Sequence, residues 1–179
     1  MPRLFTGLAV PPHVADALKA YQGGLPGARW IEPRDFHVTL RFLGDVEATV
    51  ADDVVEALGE MRTRPPLTVR LTGLGIFGGD KPRALYASVA ADPALTDLQA
   101  EQERLARRTG IDPERRKFTP HVTLARLRRD ATPEATAMYL SQAPVFVPLT
   151  FTVDRVTLFS ARESTGGGPY LAEAQFPFA

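Results

Sequence analysis

The sequence predicts an α+β fold in which one unit, duplicated and diverged, gives two pseudo-symmetric lobes. Three observations carry this reading. The tetrapeptide His-Val-Thr-Leu stands at 37–40 and again at 121–124, an offset of 84 residues, in a chain with only three histidines. The stretch LTVRLTGLGIF from Leu67 aligns without gaps to LTFTVDRVTLF from Leu149, at an offset of 82. Short apolar runs that read as strands alternate with longer runs at helical spacing, and both halves repeat that order.

Each element has a local reason. Residues 4–10 are an apolar run and read as the first strand. Pro11 and Pro12 open a helix to about residue 21, since proline is tolerated in a first turn. Gly23, Gly24, Pro26 and Gly27 break it, and Trp30-Ile31 leads into the first His-Val-Thr-Leu strand, ending at Leu43-Gly44. Across 46–61 the apolar positions Val50, Val54, Val55, Leu58 and Met61 mark a helix that Arg64-Pro65-Pro66 terminates. Residues 67–77 and 84–90 make a strand pair across the turn 78–82. Asp92-Pro93 starts a helix reaching about residue 109, and the second His-Val-Thr-Leu strand follows. Thr132-Pro133 opens a helix to about residue 142, before strands at 145–153, 155–161 and 170–178. The glycine-rich stretch 164–169 lacks the Gly-Lys-Thr ending of a phosphate-binding loop and reads as a hairpin turn.

At 179 residues, with 44% hydrophobic and 23% charged side chains, the chain has the size and composition of a globular domain. Formal net charge is zero, but nine of the 21 basic residues fall between Arg104 and Arg129, against only Asp112 and Glu114 there. The acids Asp45, Glu47, Asp52, Asp53, Glu56 and Glu60 gather around the helix at 46–61. This asymmetry suggests a local anion-attracting face. The absence of cysteine excludes disulfides and thiolate chemistry. With no apolar run of membrane-spanning length and no secretory pattern at the N-terminus, a cytoplasmic location without membrane contact is expected.

In a strand, residues i and i+2 share a face. His37 and Thr39 therefore project together, as do His121 and Thr123, while the valines and leucines turn to a core. Two-fold pairing of the lobes would set both His/Thr rows in one cleft. Histidine titrates near neutrality, so one imidazole can take a proton while the other gives one. Threonine hydroxyls can donate to phosphate oxygens, and an arginine can neutralise developing charge. In-line attack on a phosphodiester needs that set. Near symmetry leaves open which ring is acid and which is base. His13, outside any such context, reads as a surface residue, and with three histidines and no His-Glu-x-x-His pattern a zinc site is not expected.

The fuller contexts RWIEPRDFHVTLRFLG (29–44) and KFTPHVTLAR (117–126), with RLFTGLAVPPHV and VTLFSARE…GGGPYLAEAQF at the two ends, resemble the 2H phosphoesterase superfamily. Within it they resemble the RNA 2',3'-cyclic phosphodiesterases, also called 2'-5' RNA ligases. The resemblance implies residues 1–179 as one bilobal domain, two antiparallel-sheet lobes with flanking helices around a central cleft, and no metal or other cofactor. It implies hydrolysis of RNA 2',3'-cyclic phosphate ends to 2'-phosphates, with reverse 2'-5' ligation on partners such as tRNA halves, by a monomer. Carried over by motif, His37 is the proton donor and His121 the acceptor, and Thr39, Thr123 and Arg126 hold the phosphate. Strict alternation, by contrast, puts Arg41 rather than Arg126 on the His/Thr face. Phe42, Tyr86, Phe118 and Tyr170 are candidates for stacking on a base. The rival expectations are a small cyclic nucleotide or ADP-ribose cyclic phosphate as substrate, or a non-catalytic module that binds RNA ends.

Overall fold

A computed structural model describes residues 2–161 and 168–179, so most of the turn expected at 164–169 lies outside the described residues. The chain runs β1 (Arg3–Ala9), α1 (Pro12–Leu18), β2 (Ala28–Trp30), β3 (His37–Asp45), α2 (Ala48–Gly59), β4 (Leu67–Phe77), β5 (Ala84–Val89) and α3 (Pro93–Arg108). It continues with β6 (His121–Leu127), α4 (Pro133–Gln142), β7 (Leu149–Val153), β8 (Arg155–Ala161) and β9 (Tyr170–Pro177). The helix starts follow cap chemistry. The Asp92 carboxylate accepts from the Ala94 N–H at 2.7 Å, with Pro93 filling the first helical position, and the Thr132 hydroxyl accepts from the Ala135 N–H at 3.1 Å.

Two details differ from the sequence expectation. The strand expected from residue 145 begins at Leu149. Residues 145–148 are instead strapped to Tyr21, whose hydroxyl donates to the Val145 carbonyl and accepts from the Val147 N–H at 3.0 Å. Helix α2 buries Val54, Ala57 and Leu58, while Val55 is exposed.

All strands join one antiparallel sheet in the order β7-β4-β5-β6-β3-β1-β8-β9, with β2 also pairing with β6. The lobes are β7-β4-β5-β6 and β3-β1-β8-β9, and they meet where Val38 pairs with Val122. That contact joins a residue to its own repeat, 84 positions on. Val69 likewise pairs with Phe151, its counterpart at the offset of 82. An antiparallel pair in which a residue meets its own copy lies on a local two-fold axis, as at an isologous dimer interface. The halves also interlock. β7 of the second half pairs with β4, and β8 of the second half pairs with β1.

One sheet face carries the helices. Val38, Leu40, Val122 and Leu124 pack there with Val14 and Leu18 of α1, Leu95 and Leu98 of α3, and Tyr139 of α4. A second cluster sets Val54 and Leu58 of α2 and Leu105 of α3 against Leu4, Leu43 and Leu158. The opposite face at the β3–β6 junction is left for polar side chains.

Candidate active site

The pair Val38–Val122, both fully buried, fixes what lies on the other face. In antiparallel register His37 then sits beside Thr123 and Thr39 beside His121, all four opposite the core. The two histidines are diagonal neighbours, with Cα atoms roughly 7–8 Å apart. That spacing lets one tetrahedral anion touch both rings.

Backbone carbonyls fix the tautomers. The Nδ1–H of His37 donates to the Asp35 carbonyl at 2.8 Å, and that of His121 to the Thr119 carbonyl at 2.7 Å. A carbonyl can only accept, so Nδ1 carries hydrogen in both rings and Nε2 of the neutral ring holds the lone pair. The Thr39 hydroxyl lies 3.0 Å from Nε2 of His37. Each ring also rests against a stacked aromatic pair, Phe5 with Phe159 at His37 and Phe77 with Tyr86 at His121. Tyr170 adds an edge-on contact to His37, its ring centroid 5.1 Å away. A Cβ at Gly75 would fall 2.5 Å from the Tyr86 ring, so only glycine on β4 lets that ring lie across the strand beside His121.

This unequal enclosure separates the rings electrically. Burial pushes His37 down to about 4 against the pull of the Asp35 carbonyl, and the positive charge of Arg126 and the neighbouring His121 push the same way. Burial and Arg126 also lower His121. Both rings are therefore neutral in the empty cleft at pH 7. A folded-state pKa below the unfolded value of about 6.5 gives stability that is present above that pH and lost as pH falls towards 4. For His37 the loss has an upper limit of about 3 kcal/mol, since the residue keeps some exposure. Wild type should thus lose stability relative to His37→Gln between pH 7 and 4.5, followed by urea denaturation. Parallel curves for the two proteins would refute the burial effect.

A register shift in each strand sets which way the two arginines face. Along β5 the partners run Leu85–Ala125 and then Tyr86–Thr123, so Leu124 is skipped. Along β1 they run Thr6–Arg41 and then Gly7–Thr39, so the equivalent Leu40 is skipped. The extra residue in each strand reverses the alternation beyond it. Leu124 and Ala125 are both buried and Arg126 is exposed; Leu40 and Arg41 are both buried and Phe42 is exposed. The parity argument for Arg41 therefore fails. Its guanidinium is enclosed with the Glu103 carboxylate and donates to the carbonyls of Phe42 and Asp112. Arg126 lies within electrostatic reach of both imidazoles.

Of the aromatic candidates, Tyr86 and Tyr170 touch the histidines, Phe118 packs against the core, and Phe42 is 42% exposed near Gly44. Sequence reasoning missed Phe5, Phe77 and Phe159. Yet Phe77 and Phe159 are the residues on which the aligned repeat ends, a signal already in the sequence. The charge asymmetry resolves into two parts. Arg107, Arg108 and Arg116 pair with Glu103, Glu60 and Glu114. Arg126, Arg128 and Arg129 have no carboxylate within salt-bridge distance among the described residues. His13 is exposed on α1, and the described residues contain no helix long and apolar enough to cross a membrane.

The fold and the paired motifs have counterparts in known proteins. An RNA 2',3'-cyclic phosphodiesterase of Aquifex aeolicus is 38% identical over 104 residues, covering 56% of this chain and 55% of that protein. One from Aeropyrum pernix is 37% identical over 107 residues, covering 59% and 60%. These matches thus span little more than half the length of those relatives. The crystal structure of a Thermus thermophilus protein superposes with a TM-score of 0.77 at 25% identity, covering 98% of this chain and 97% of that one. Escherichia coli LigT complexed with 3'-AMP shares the fold, with a TM-score of 0.76 at 24% identity and coverage of 99% and 98%. Residues 10–165 match the 2'-5' RNA ligase superfamily, so paired motifs, two-fold sheet and family profile agree: the chain belongs to that superfamily.

Proposed function

We propose that this chain, acting as one bilobal unit, hydrolyses 2',3'-cyclic phosphate ends of RNA to 2'-phosphates by two-histidine acid–base catalysis without a metal. The observation that carries the reading is the pairing of Val38 with its own repeat Val122, which lines two imidazoles and two hydroxyls on one face. The names of the Aquifex and Aeropyrum relatives supply the substrate class.

In this mechanism Nε2 of His121 takes a proton from water as its oxygen attacks phosphorus opposite the 3'-oxygen. The bond from phosphorus to the 3'-oxygen breaks, and Nε2–H of His37 delivers a proton to that oxygen. Thr39 and Thr123 donate to the non-bridging oxygens, and Arg126 offsets the charge that builds on them. A donor must be charged, and burial keeps His37 neutral in the empty cleft. The bound phosphate anion supplies the counter-charge that draws a proton onto the ring. In the reverse direction the same groups join a cyclic phosphate to a 5'-hydroxyl as a 2'-5' linkage. An RNA substrate also makes the cytoplasm the setting we infer, with the protein working as a monomer.

The test is a short RNA with a 2',3'-cyclic end, incubated with the protein and EDTA. A 2'-phosphate product is expected. A 3'-phosphate product, or activity abolished by the chelator, would overturn the proposed chemistry.

A further inference from the structure

The two half-sites repeat one another, yet they differ at the residue that holds each imidazole. At the offset of 84, His37 matches His121, Tyr170 matches Tyr86 and Asp35 matches Thr119. Asp35 and Thr119 each give the ring a carbonyl, at 2.8 Å and 2.7 Å. Their side chains part company. Thr119 is exposed, whereas Asp35 is only 8% exposed. A carboxylate at a buried position costs free energy unless donors receive it. Burial accordingly raises the Asp35 carboxyl; the Tyr170 N–H and the Arg34 charge oppose the rise, and Glu32 adds to it.

The Asp35 carboxylate reaches the start of β9. Its Oδ1 accepts from the Tyr170 N–H at 3.4 Å. Its Oδ2 lies 2.6 Å from where a Cβ at Gly168 would stand, so only glycine lets the chain pass this close to the acid. The sheet explains why a tether is needed on this side. Tyr86 is clamped between Gly75 of β4 and Thr123 of β6. Tyr170 instead opens β9, the last strand in the sheet order, and pairs there with Ala161 of β8. The first residue of an edge strand has a ladder to one side, and such ends open most readily. Tyr170 nevertheless carries the ring that meets both His37 and Phe5 edge-on, with centroids 5.1 Å away in each case.

We propose that the Asp35 carboxylate ties the first residue of β9 in place so that the Tyr170 ring closes against His37, and that this tether makes two repeated half-sites unequal. The inference rests on the cyclic-phosphodiesterase reading above. Within it Asp35 is a positioning residue. It acts through Tyr170 on the placement of the His37 ring and on the exclusion of water from it, and it touches no reacting atom.

The experiment follows the imidazole titrations by NMR in wild type, Asp35→Asn, Asp35→Ala, Asp35→Thr and Tyr170→Ala. With only three histidines in the chain, substitution assigns each ring signal. Asp35→Thr copies the other repeat, and Asp35→Asn keeps the shape and an acceptor oxygen. The His37 midpoint, about 4 in wild type, should rise by about one unit or more in Asp35→Ala, Asp35→Thr and Tyr170→Ala, because water readmitted to the ring relieves its burial. Asp35→Asn should keep the wild-type value, and His121 should stay in place throughout. Loss of a negative charge would by itself push the midpoint down, so a rise identifies the tether. Arg126 and His121 beside the ring, and Arg34 and Glu32 beside position 35, are present in every variant. On an RNA with a 2',3'-cyclic end, kcat should fall about tenfold in Asp35→Ala and Asp35→Thr with KM nearly unchanged, as for a slightly misplaced donor, and Asp35→Asn should recover most of it. A His37 midpoint unmoved in Asp35→Thr or in Tyr170→Ala, a shift shared equally by His121, or an Asp35→Asn protein that titrates like Asp35→Ala overturns the proposal. If Asp35→Ala does not fold, Asp35→Thr and Tyr170→Ala carry the same test. Wild-type protein inert on cyclic ends would instead overturn the underlying reading, and the titrations still decide whether Asp35 holds the ring.

Discussion

Replacing His121 by alanine is expected to lower turnover of a 2',3'-cyclic phosphate by about 10²–10⁴-fold, and His37→Ala by a similar factor. The double variant should be little worse than either single one, because base and acid serve the same transition state and their losses do not add. Substrate affinity should fall far less, since Thr39, Thr123 and Arg126, the proposed phosphate contacts, remain. Single-turnover kinetics with a defined oligonucleotide separates the two quantities. If either single variant keeps wild-type turnover, the acid–base pair lies elsewhere. The pH dependence supplies an independent check. Both rings are lowered in the empty protein, whereas a bound anion favours their charged forms. The acidic limb of kcat should therefore lie at higher pH than that of kcat/KM, and coincident limbs would argue against anion-assisted protonation of His37.

Arg41→Ala should be among the costly single changes for stability outside the candidate site, at about 3–5 kcal/mol. The Arg41 side chain is 4% exposed, and its partner Glu103 also accepts from Arg107 at 2.8 Å and from the Glu114 N–H at 3.0 Å. Burial opposes the charge on Glu103, yet hydrogen bonds from Arg41 and Arg107 hold its carboxyl below the usual range. Removing the guanidinium leaves that carboxylate with only Arg107 and the Glu114 N–H as partners and strands the carbonyls of Phe42 and Asp112. Against the 5–15 kcal/mol that typically holds a domain together, this is a large fraction. Urea denaturation measures it, and a loss below about 1 kcal/mol would refute the account. Arg41→Met combined with Glu103→Gln should recover more than half, because the buried charge goes with its partner. Per folded molecule, turnover of Arg41→Ala should stay near wild type.

Most of the architecture was legible because strand and helix periods, prolines and cap residues agree locally. Asp92-Pro93 and Thr132-Pro133 announced α3 and α4, and the structure uses both as caps. The repeated tetrapeptide announced the two-fold junction. What alternation missed was the bulge at Leu40 and Leu124, since nothing in a pair of leucine-containing strands signals an inserted residue. It turned the alternation argument toward Arg41, while the family resemblance pointed to Arg126. The start of β7 was missed for a different reason. Apolar residues at 145–147 fit a strand, but a distant tyrosine, Tyr21, claims their backbone groups. Separating Arg116 from Arg126 likewise needed the carboxylate beside the former, which composition cannot supply.

The exchange of strands between halves also governs how the molecule must be made. During synthesis β1 and β3 emerge early, yet the outer edge of β1 stays bare until β8, some 150 residues later, leaves the ribosome. Contacts so distant in sequence close slowly, and an open sheet edge invites wrong partners in the meantime. Maturation of the two imidazoles as a pair is therefore a late, all-or-none event, which neither half can complete while the other is still unmade.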